Sequence, residues 1–358
     1  MKRFFFVLLL ASLALILSAC SGGYTTSSWP GAAADETTAY VAFNQHVYAI
    51  NLETGAEKWR YPQKADAAIS FYAAPVLSPD GQLIVGDYGH TLYSLDPQTG
   101  TENWKFVDAK HRYVASPLAT SKGIFAPVAD GSLYALNLNG KPMWAKPFKA
   151  KGPIWAQPTA DNECNCIYAA SMDHHIYAIN ADTGEQEWVS EKLGGSVAGT
   201  PIFDTSGKLF VGTFGKQMVA LDLQNGKIIG QPYTTDAWVW SGPVLSEGRL
   251  YFGDTSGSLY ILYAGDLSEV KKLSLGEPVV ATPLVFSDTL VVPTEAGSLQ
   301  AMDLNGAPRW KVTLTKGKFY GPPIRAGDLI LVAPTENDAI LIAYNSNGLE
   351  MWKFIPAK

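Results

Sequence analysis

The sequence predicts an all-β chain, folded as an eight-bladed β-propeller of four-stranded antiparallel blades. Three observations carry that prediction. One short phrase recurs eight times, and a proline landmark runs in step with it at spacings of 40 to 45 residues. Each unit holds four β-favouring runs separated by turn signals. No helix-length amphipathic segment follows the N-terminal apolar run. Composition agrees with a packed body: 358 residues are 47% hydrophobic and 12% aromatic, enough apolar surface to offset chain entropy. With 27 Lys+Arg against 33 Asp+Glu and no long basic run, a nucleic-acid partner is excluded.

The chain opens with an address. Lys2 and Arg3 precede an apolar run from Phe4 to Leu17, shorter than a membrane span and flanked as a signal peptide is. Leu17-Ser18-Ala19-Cys20 resembles a bacterial lipoprotein box. That resemblance implies export, cleavage of the 1–20 signal segment just before Cys20, diacylation of Cys20 as the mature N-terminus and membrane attachment through lipid. The alternative is an ordinary signal sequence with an incidental cysteine. Residues 21–29 read as a flexible tether, and 30–358 as a single propeller domain, monomeric and facing the periplasm or cell surface.

The repeat begins with Val47-Tyr48-Ala49-Ile50-Asn51, Gly55, Trp59. It returns in Leu92–Leu95 with Gly100 and Trp104, Leu133–Leu136 with Gly140 and Trp144, and Ile176–Asn180 with Gly184 and Trp188. The seventh and eighth copies carry Gly306 and Trp310, then Gly348 and Trp352. Two copies are degenerate: the fifth keeps Gly226 but has Gly230 where Trp is expected, and the sixth keeps Gly265 alone. The proline landmark comprises Pro30, Pro75, Pro117, Pro158, Pro201, Pro243, Pro283 and Pro323. In the second unit the strands read as 74–77, 83–86, 91–95 and 102–106, with middle strands apolar throughout, as expected when both sheet faces are covered. Glycine supplies the left-handed backbone of the outer hairpin, and the Trp after it can lie flat between neighbouring sheets.

The Ala-x5-Gly-x3-Trp spacing of Ala49-Gly55-Trp59 resembles the tryptophan-docking motif of the quinoprotein (PQQ-type) propeller repeats. It recurs at Ala178-Gly184-Trp188, with Ser for Ala at Ser94-Gly100-Trp104, and one residue shorter in three other units. The resemblance covers nearly the whole chain after the signal. It assigns Trp59, Trp104, Trp144, Trp188, Trp310 and Trp352 to docking between blades. An exported lipoprotein of eight such repeats is similar to the B component of the outer-membrane barrel-assembly machinery. The dehydrogenases that share the repeat carry a Ca²⁺-binding acid and amide set and a disulfide of adjacent cysteines. Here Asn165 separates Cys164 from Cys166 and no Ca²⁺ set can be placed, so no PQQ is expected despite the name of the repeat.

Catalytic motifs are absent. There is no P-loop, dinucleotide fingerprint, zinc-protease helix or nucleophile elbow. Asp87, Asp130, Asp173, Asp254 and Glu295 recur near turns and are read as turn-formers rather than a catalytic ring. His174-His175 is read as part of a turn, not a metal pair. Cys164 and Cys166 sit in an apparent turn, where a local disulfide and two free thiols are both open. One constellation remains: aromatic residues just before the repeat proline. It gives Tyr72, Tyr113, Trp155, Trp240 and Tyr320, with Arg112 beside them, as a candidate interaction rim at one mouth of the channel. Packing between blades is the competing use of these rings. The expected function is a non-enzymatic, lipid-anchored scaffold for protein partners, concretely an accessory of outer-membrane protein assembly. The alternatives are a ligand-binding or sensory propeller and a quinoprotein dehydrogenase.

Overall fold

A computed structural model describes residues 30–357. Cys20, the tether and Trp29 lie outside them. Among the described residues thirty-two strands form eight four-stranded antiparallel sheets, each built from consecutive strands. Blade 1 comprises Ala32–Ala34, Thr38–Phe43, His46–Asn51 and Glu57–Tyr61. Blades 2 to 8 follow at 76–106, 118–149, 159–189, 202–234, 244–274, 284–313 and 324–354. The first strand of each blade is innermost, and those of blades 8, 1 and 2 are successive neighbours, so the ring is closed.

The second and third strands are buried because both faces of every blade meet another blade. The core is therefore a set of seams, not one central mass. At the closing seam Val41 and Ile50 of blade 1 pack with Leu331, Leu341 and Phe354 of blade 8. Among the described residues no strand crosses that seam to pair with the other sheet, and side chains hold it.

The tryptophans explain how. A Cβ placed on Gly100 would lie 2.6 Å from the Trp59 ring, and the same close approach joins Trp104 to Gly140, Trp144 to Gly184, Trp188 to Gly226, Trp310 to Gly348 and Trp352 to Gly55. Each indole thus lies on the hairpin glycine of the next blade, all six glycines having positive φ. Each indole N–H also donates to a carbonyl of that hairpin: Pro97, Leu138, Ala181, Leu223, Ser346 and Leu52, at 2.7–3.0 Å. A small residue stands opposite the Trp on the third strand, as in Ala49 with Trp59 and Ala343 with Trp352. That room lets the ring lie flat.

The two degenerate units are adjacent, and the structure corrects the sixth. Gly265 is not its hairpin residue: Leu267 (φ 61°) takes the left-handed position, its N–H donating to Tyr263 O at 2.9 Å as Gly55 donates to Asn51 O. The Leu267 side chain is buried with Phe210, Ala220 and Ile229 of blade 5, filling the space left where Gly230 replaces Trp. In the next seam Leu273 and Lys271 approach Gly306 instead of an indole.

The proline landmark also needs one correction. Val76, after Pro75, pairs with Ile84 and through it with Ser94; the matching chain in blade 1 is Ala33, Tyr40, Ala49. Ala32 therefore holds the proline position, and Pro30 stands two residues earlier. Relative to blade 2, both hairpins of blade 1 are one residue shorter, Ala33 to Tyr40 to Ala49 against Val76 to Ile84 to Ser94, and together they displaced the apparent repeat.

Truncating the docked rings should expose their structural weight. Trp144→Ala should cost about 3–5 kcal/mol in a denaturant melt, as for other buried aromatic truncations. Alkaline pH should weaken the fold as well. Burial, with Asp173 adjacent, pushes Tyr177 up to about 12, and burial with Glu350 nearby does the same for Tyr344. The folded state keeps these protons while unfolded phenols ionise, so stability present below pH ~10 should fall as pH rises towards 12. Melts across that range check the sign.

Candidate functional site: the channel mouth

The chain before each repeat proline alternates as a strand does, and this sets the site. Four residues before the proline the side chain is buried in every described case: Phe71, Tyr113, Ile154, Val197, Val239, Val279 and Phe319. Three residues before it the side chain faces the channel. Tyr72, Val114, Trp155, Ala198, Trp240, Val280 and Tyr320 all line one cavity of about 780 Å³. Blades 2, 4, 6 and 8 thus contribute aromatic rings, and blades 3, 5 and 7 small or aliphatic ones. In blade 1 the corresponding position is Trp29, outside the described residues. Below this collar the wall is small, with Gly31, Ala74, Gly199, Gly242 and Gly321. Added Cβ atoms there would meet a neighbouring blade at 2.2–2.8 Å, so the ring is as tight as its backbones allow.

Turns between the second and third strands lie on the same face and brace the collar. Tyr88 packs on Tyr72 with centroids 4.8 Å apart, and the Arg112 guanidinium sits 5.1 Å over the Tyr88 ring. Phe214 stacks on both Trp238 and Trp240, at 5.5 and 5.0 Å. The Tyr320 hydroxyl donates to Glu295 at 2.8 Å. Burial, with Tyr88 beside it, holds the Tyr72 phenol well above its ordinary value, and burial with Glu295 raises Tyr320. Both stay neutral hydrogen-bonding groups. Trp155 is 40% exposed and Trp238 50%, large apolar surface at one mouth.

Five of the six rim candidates, Tyr72, Arg112, Trp155, Trp240 and Tyr320, line this cavity. Tyr113 does not. It is 0% exposed, and its ring fills the space that a Cβ on Gly86 would take. The blade 3 aromatic stands one residue earlier relative to its proline, and a one-residue step turns a strand side chain to the other face. Distance to the proline was the signal that separates the two. Tyr88 and Phe214, absent from the candidate rim, occupy equivalent turn positions two residues after Gly86 and Gly212.

The remaining candidates are structural. Asp87 accepts from Thr91 N–H and the Tyr93 hydroxyl, and Asp254 from Ser258 N–H and the Tyr260 hydroxyl. Asp130, Asp173 and Glu295 sit one or two residues out of that register, so the acids form no ring. His174 takes a positive φ in a turn and His175 Nδ1 lies 2.9 Å from Ser190 O. Among the described residues no cluster of His, Cys, Asp or Glu could hold a metal ion. Cys164 and Cys166 are joined in a disulfide that closes the first hairpin of blade 4, and neither lines the cavity. A Ca²⁺-bound quinone does not fit this mouth. Among the described residues its wall offers no carboxylate, and Gln157, whose Nε2 donates to Pro117 O, supplies a lone side-chain amide oxygen.

Fold and site together define an eight-bladed propeller with tryptophan-docked blades and an aromatic channel mouth. The chain belongs to the family described as Outer membrane protein assembly factor BamB, whose model matches residues 22–157 and 139–238. It is 26% identical over 164 residues to the Outer membrane protein assembly factor BamB of Nitrosomonas eutropha, covering 43% of this chain and 38% of that protein. It is also 26% identical over 198 residues to a polyvinylalcohol dehydrogenase of a Pseudomonas species, covering 40% and 31%. The chain spans about a third of the length of these curated relatives. BamB from Moraxella catarrhalis superposes with a TM-score of 0.70 at 15% identity, covering 87% of this chain and 92% of that one, a likeness of fold.

The buried Tyr113 hydroxyl has no hydrogen-bond partner. Tyr113→Phe should therefore be neutral or raise the melting temperature, whereas Tyr113→Ala should lower stability by about 3–5 kcal/mol. Thermal melts of both variants test the placement.

Proposed function

We propose that the chain is a non-enzymatic accessory of outer-membrane protein assembly, a scaffold that presents its aromatic channel mouth to polypeptide partners. In this reading Cys20 carries the lipid, 21–29 the tether and 30–358 the working propeller, on the envelope side of the membrane. The observation that carries it is the collar itself. Tyr, Trp and Arg bury much area at little rotamer cost and dominate binding hot spots. Among the described residues the same wall shows no hydrogen-bonded histidine–hydroxyl pair and no cluster of metal ligands. The family match supports the assembly role. Similarity to a dehydrogenase supports the second reading, a quinone-dependent oxidation, which the donor-poor wall disfavours.

Two experiments test it. In a host with an outer membrane, deletion should lower the abundance of outer-membrane barrel proteins. The wild-type gene should restore it, and Cys20→Ser, processed but released from the membrane fraction, should not. Trp155→Ala with Trp240→Ala should fail to complement although circular dichroism shows it folded like the wild type. Unchanged barrel-protein abundance on deletion, with dye-linked alcohol oxidation by the purified protein in PQQ and Ca²⁺, would overturn the proposal.

A further inference from the structure

The disulfide of blade 4 is not what holds its hairpin. Cys164 and Cys166 are the only cysteines among the described residues, and their bond links residues two apart. A cross-link that short removes little freedom from the unfolded chain. The hairpin is closed without it, because Thr159 pairs with Tyr168 and Asp161 with Cys166 across the two strands. Glu163 N–H donates to Asp161 Oδ1 at 2.8 Å, Ala181 N–H to the Asn165 carbonyl at 2.9 Å, and Lys122 Nζ to Asn165 Oδ1. The matching hairpin of blade 5 closes with no cross-link, Asp204 accepting from Ser206 and Lys208 N–H. The two sulfurs stand in different surroundings. Cys164 is exposed, whereas Cys166 is 5% exposed and packs with Tyr168, Val197 and Leu209 in the seam to blade 5. The Tyr168 hydroxyl, on a buried ring, lies 3.3 Å from Cys164 Sγ and 3.3 Å from Asp161 Oδ2. Asp161 and Glu163 bring carboxylates to the turn, and Asp182 is tied to it by Asn165 Nδ2 at 2.8 Å.

We propose that Cys164–Cys166 is a thiol-exchange site, a disulfide that accepts two electrons from a polypeptide dithiol with basic neighbours. A thiolate of that partner attacks Cys164 Sγ, the sulfur that solvent reaches. The S–S bond breaks, and Cys166 leaves with the electron pair and takes up a proton. The partner's second thiolate then attacks the partner sulfur of the mixed disulfide, and Cys164 leaves and is protonated in turn. The partner ends as its own disulfide and this chain as two thiols, two electrons and two protons having crossed. Tyr168 is a positioning residue for the second departure, since its hydroxyl can donate to the Cys164 thiolate as it forms. A reduced Cys166 stays in the seam as a small apolar group, so the ring keeps its packing. Carboxylates at the turn repel an acidic partner and favour a cysteine pair among cationic residues. Exposure sets this bond among the labile disulfides, whereas a buried one that joined two blades would be structural.

The site is separate from the channel mouth, and its test needs no outer-membrane partner. The full-length protein in detergent would be incubated with short reduced peptides carrying two cysteines, flanked either by lysines or by glutamates. Free thiols are then alkylated in the folded state, and the fragment holding residues 164–166 is read by mass spectrometry. The lysine peptide should convert the disulfide to two alkylated cysteines, with one peptide disulfide formed per chain and an unchanged melt. At low salt it should react about fivefold faster or more than the glutamate peptide, a gap that added salt closes. Brief exposure to a single-cysteine peptide, quenched with acid, should leave that peptide on Cys164 and not on Cys166. In Cys166→Ser, with the peptide held on Cys164 as a mixed disulfide, Tyr168→Phe should slow its release by dithiothreitol about threefold or more. Equal rates for the lysine and glutamate peptides would overturn the basic partner. A disulfide that resists the lysine peptide until the chain is unfolded in denaturant would overturn the exchange site. So would an adduct on Cys166, a melting temperature that falls on reduction, or two free thiols in protein isolated without reductant.

Discussion

Everything in this molecule depends on an indole ring lying on a glycine. A propeller has no end at which a mismatch can be left, so every seam must close. Six of the eight seams close the same way: apolar contact of the ring with a bare Cα, and an indole N–H bonded to the hairpin around it. The glycine is required twice over, for its positive φ and for the absence of a side chain. The seam from blade 5 to blade 6 supports this account by its exception. Where Gly230 removes the ring, Leu267 replaces the glycine and fills the gap from the other side, accepting a left-handed φ of 61° to do so. Among the described residues the first and last blades share no strand, which gives Trp352 on Gly55 the task that strand pairing performs within a blade.

The site is a consequence of the same ring. Tight convergence of the inner strands fixes where each pre-proline residue points, and strand alternation then divides the chain into core and channel positions. A collar drawn from blades 2, 4, 6 and 8 has no counterpart in linear sequence; Tyr72 and Tyr320 are 248 residues apart, yet their phenols share one wall. Bracing by Tyr88, Phe214 and Glu295 orders these side chains before any partner arrives. Less side-chain entropy is then lost on binding. Among the described residues this wall holds no carboxylate, which sets it apart from an otherwise acidic chain.

The period and blade count were legible because every seam repeats one solution, which stamps Gly and Trp into the chain at fixed distance. The second and third strands were equally plain, since burial on both faces demands unbroken apolar runs such as Leu83–Gly86. Legibility failed where local spacing changed without changing the pattern. The two hairpins of blade 1, each one residue shorter than in blade 2, moved the proline position from Pro30 to Ala32. Gly265 looked like a hairpin glycine, but the left-handed residue is Leu267, because packing outweighed backbone preference. Tyr113 shared composition with the rim and missed it by one residue. Whether Cys164 and Cys166 pair depends on the turn between them, which spacing left open. Arg112 was visible as a basic neighbour, but its isolation from acids is a property of the assembled wall.

The closing seam is the part of this account most exposed to measurement, through hydrogen exchange of indole N–H protons in the folded chain followed by NMR. Closure by docking predicts that Trp352 exchanges as slowly as Trp59 and Trp144, since all three donate to a carbonyl of the next blade, and far more slowly than exposed Trp155 and Trp238. Exchange of Trp352 at the rate of Trp155, with Trp59 and Trp144 protected, would show an open ring and contradict the account.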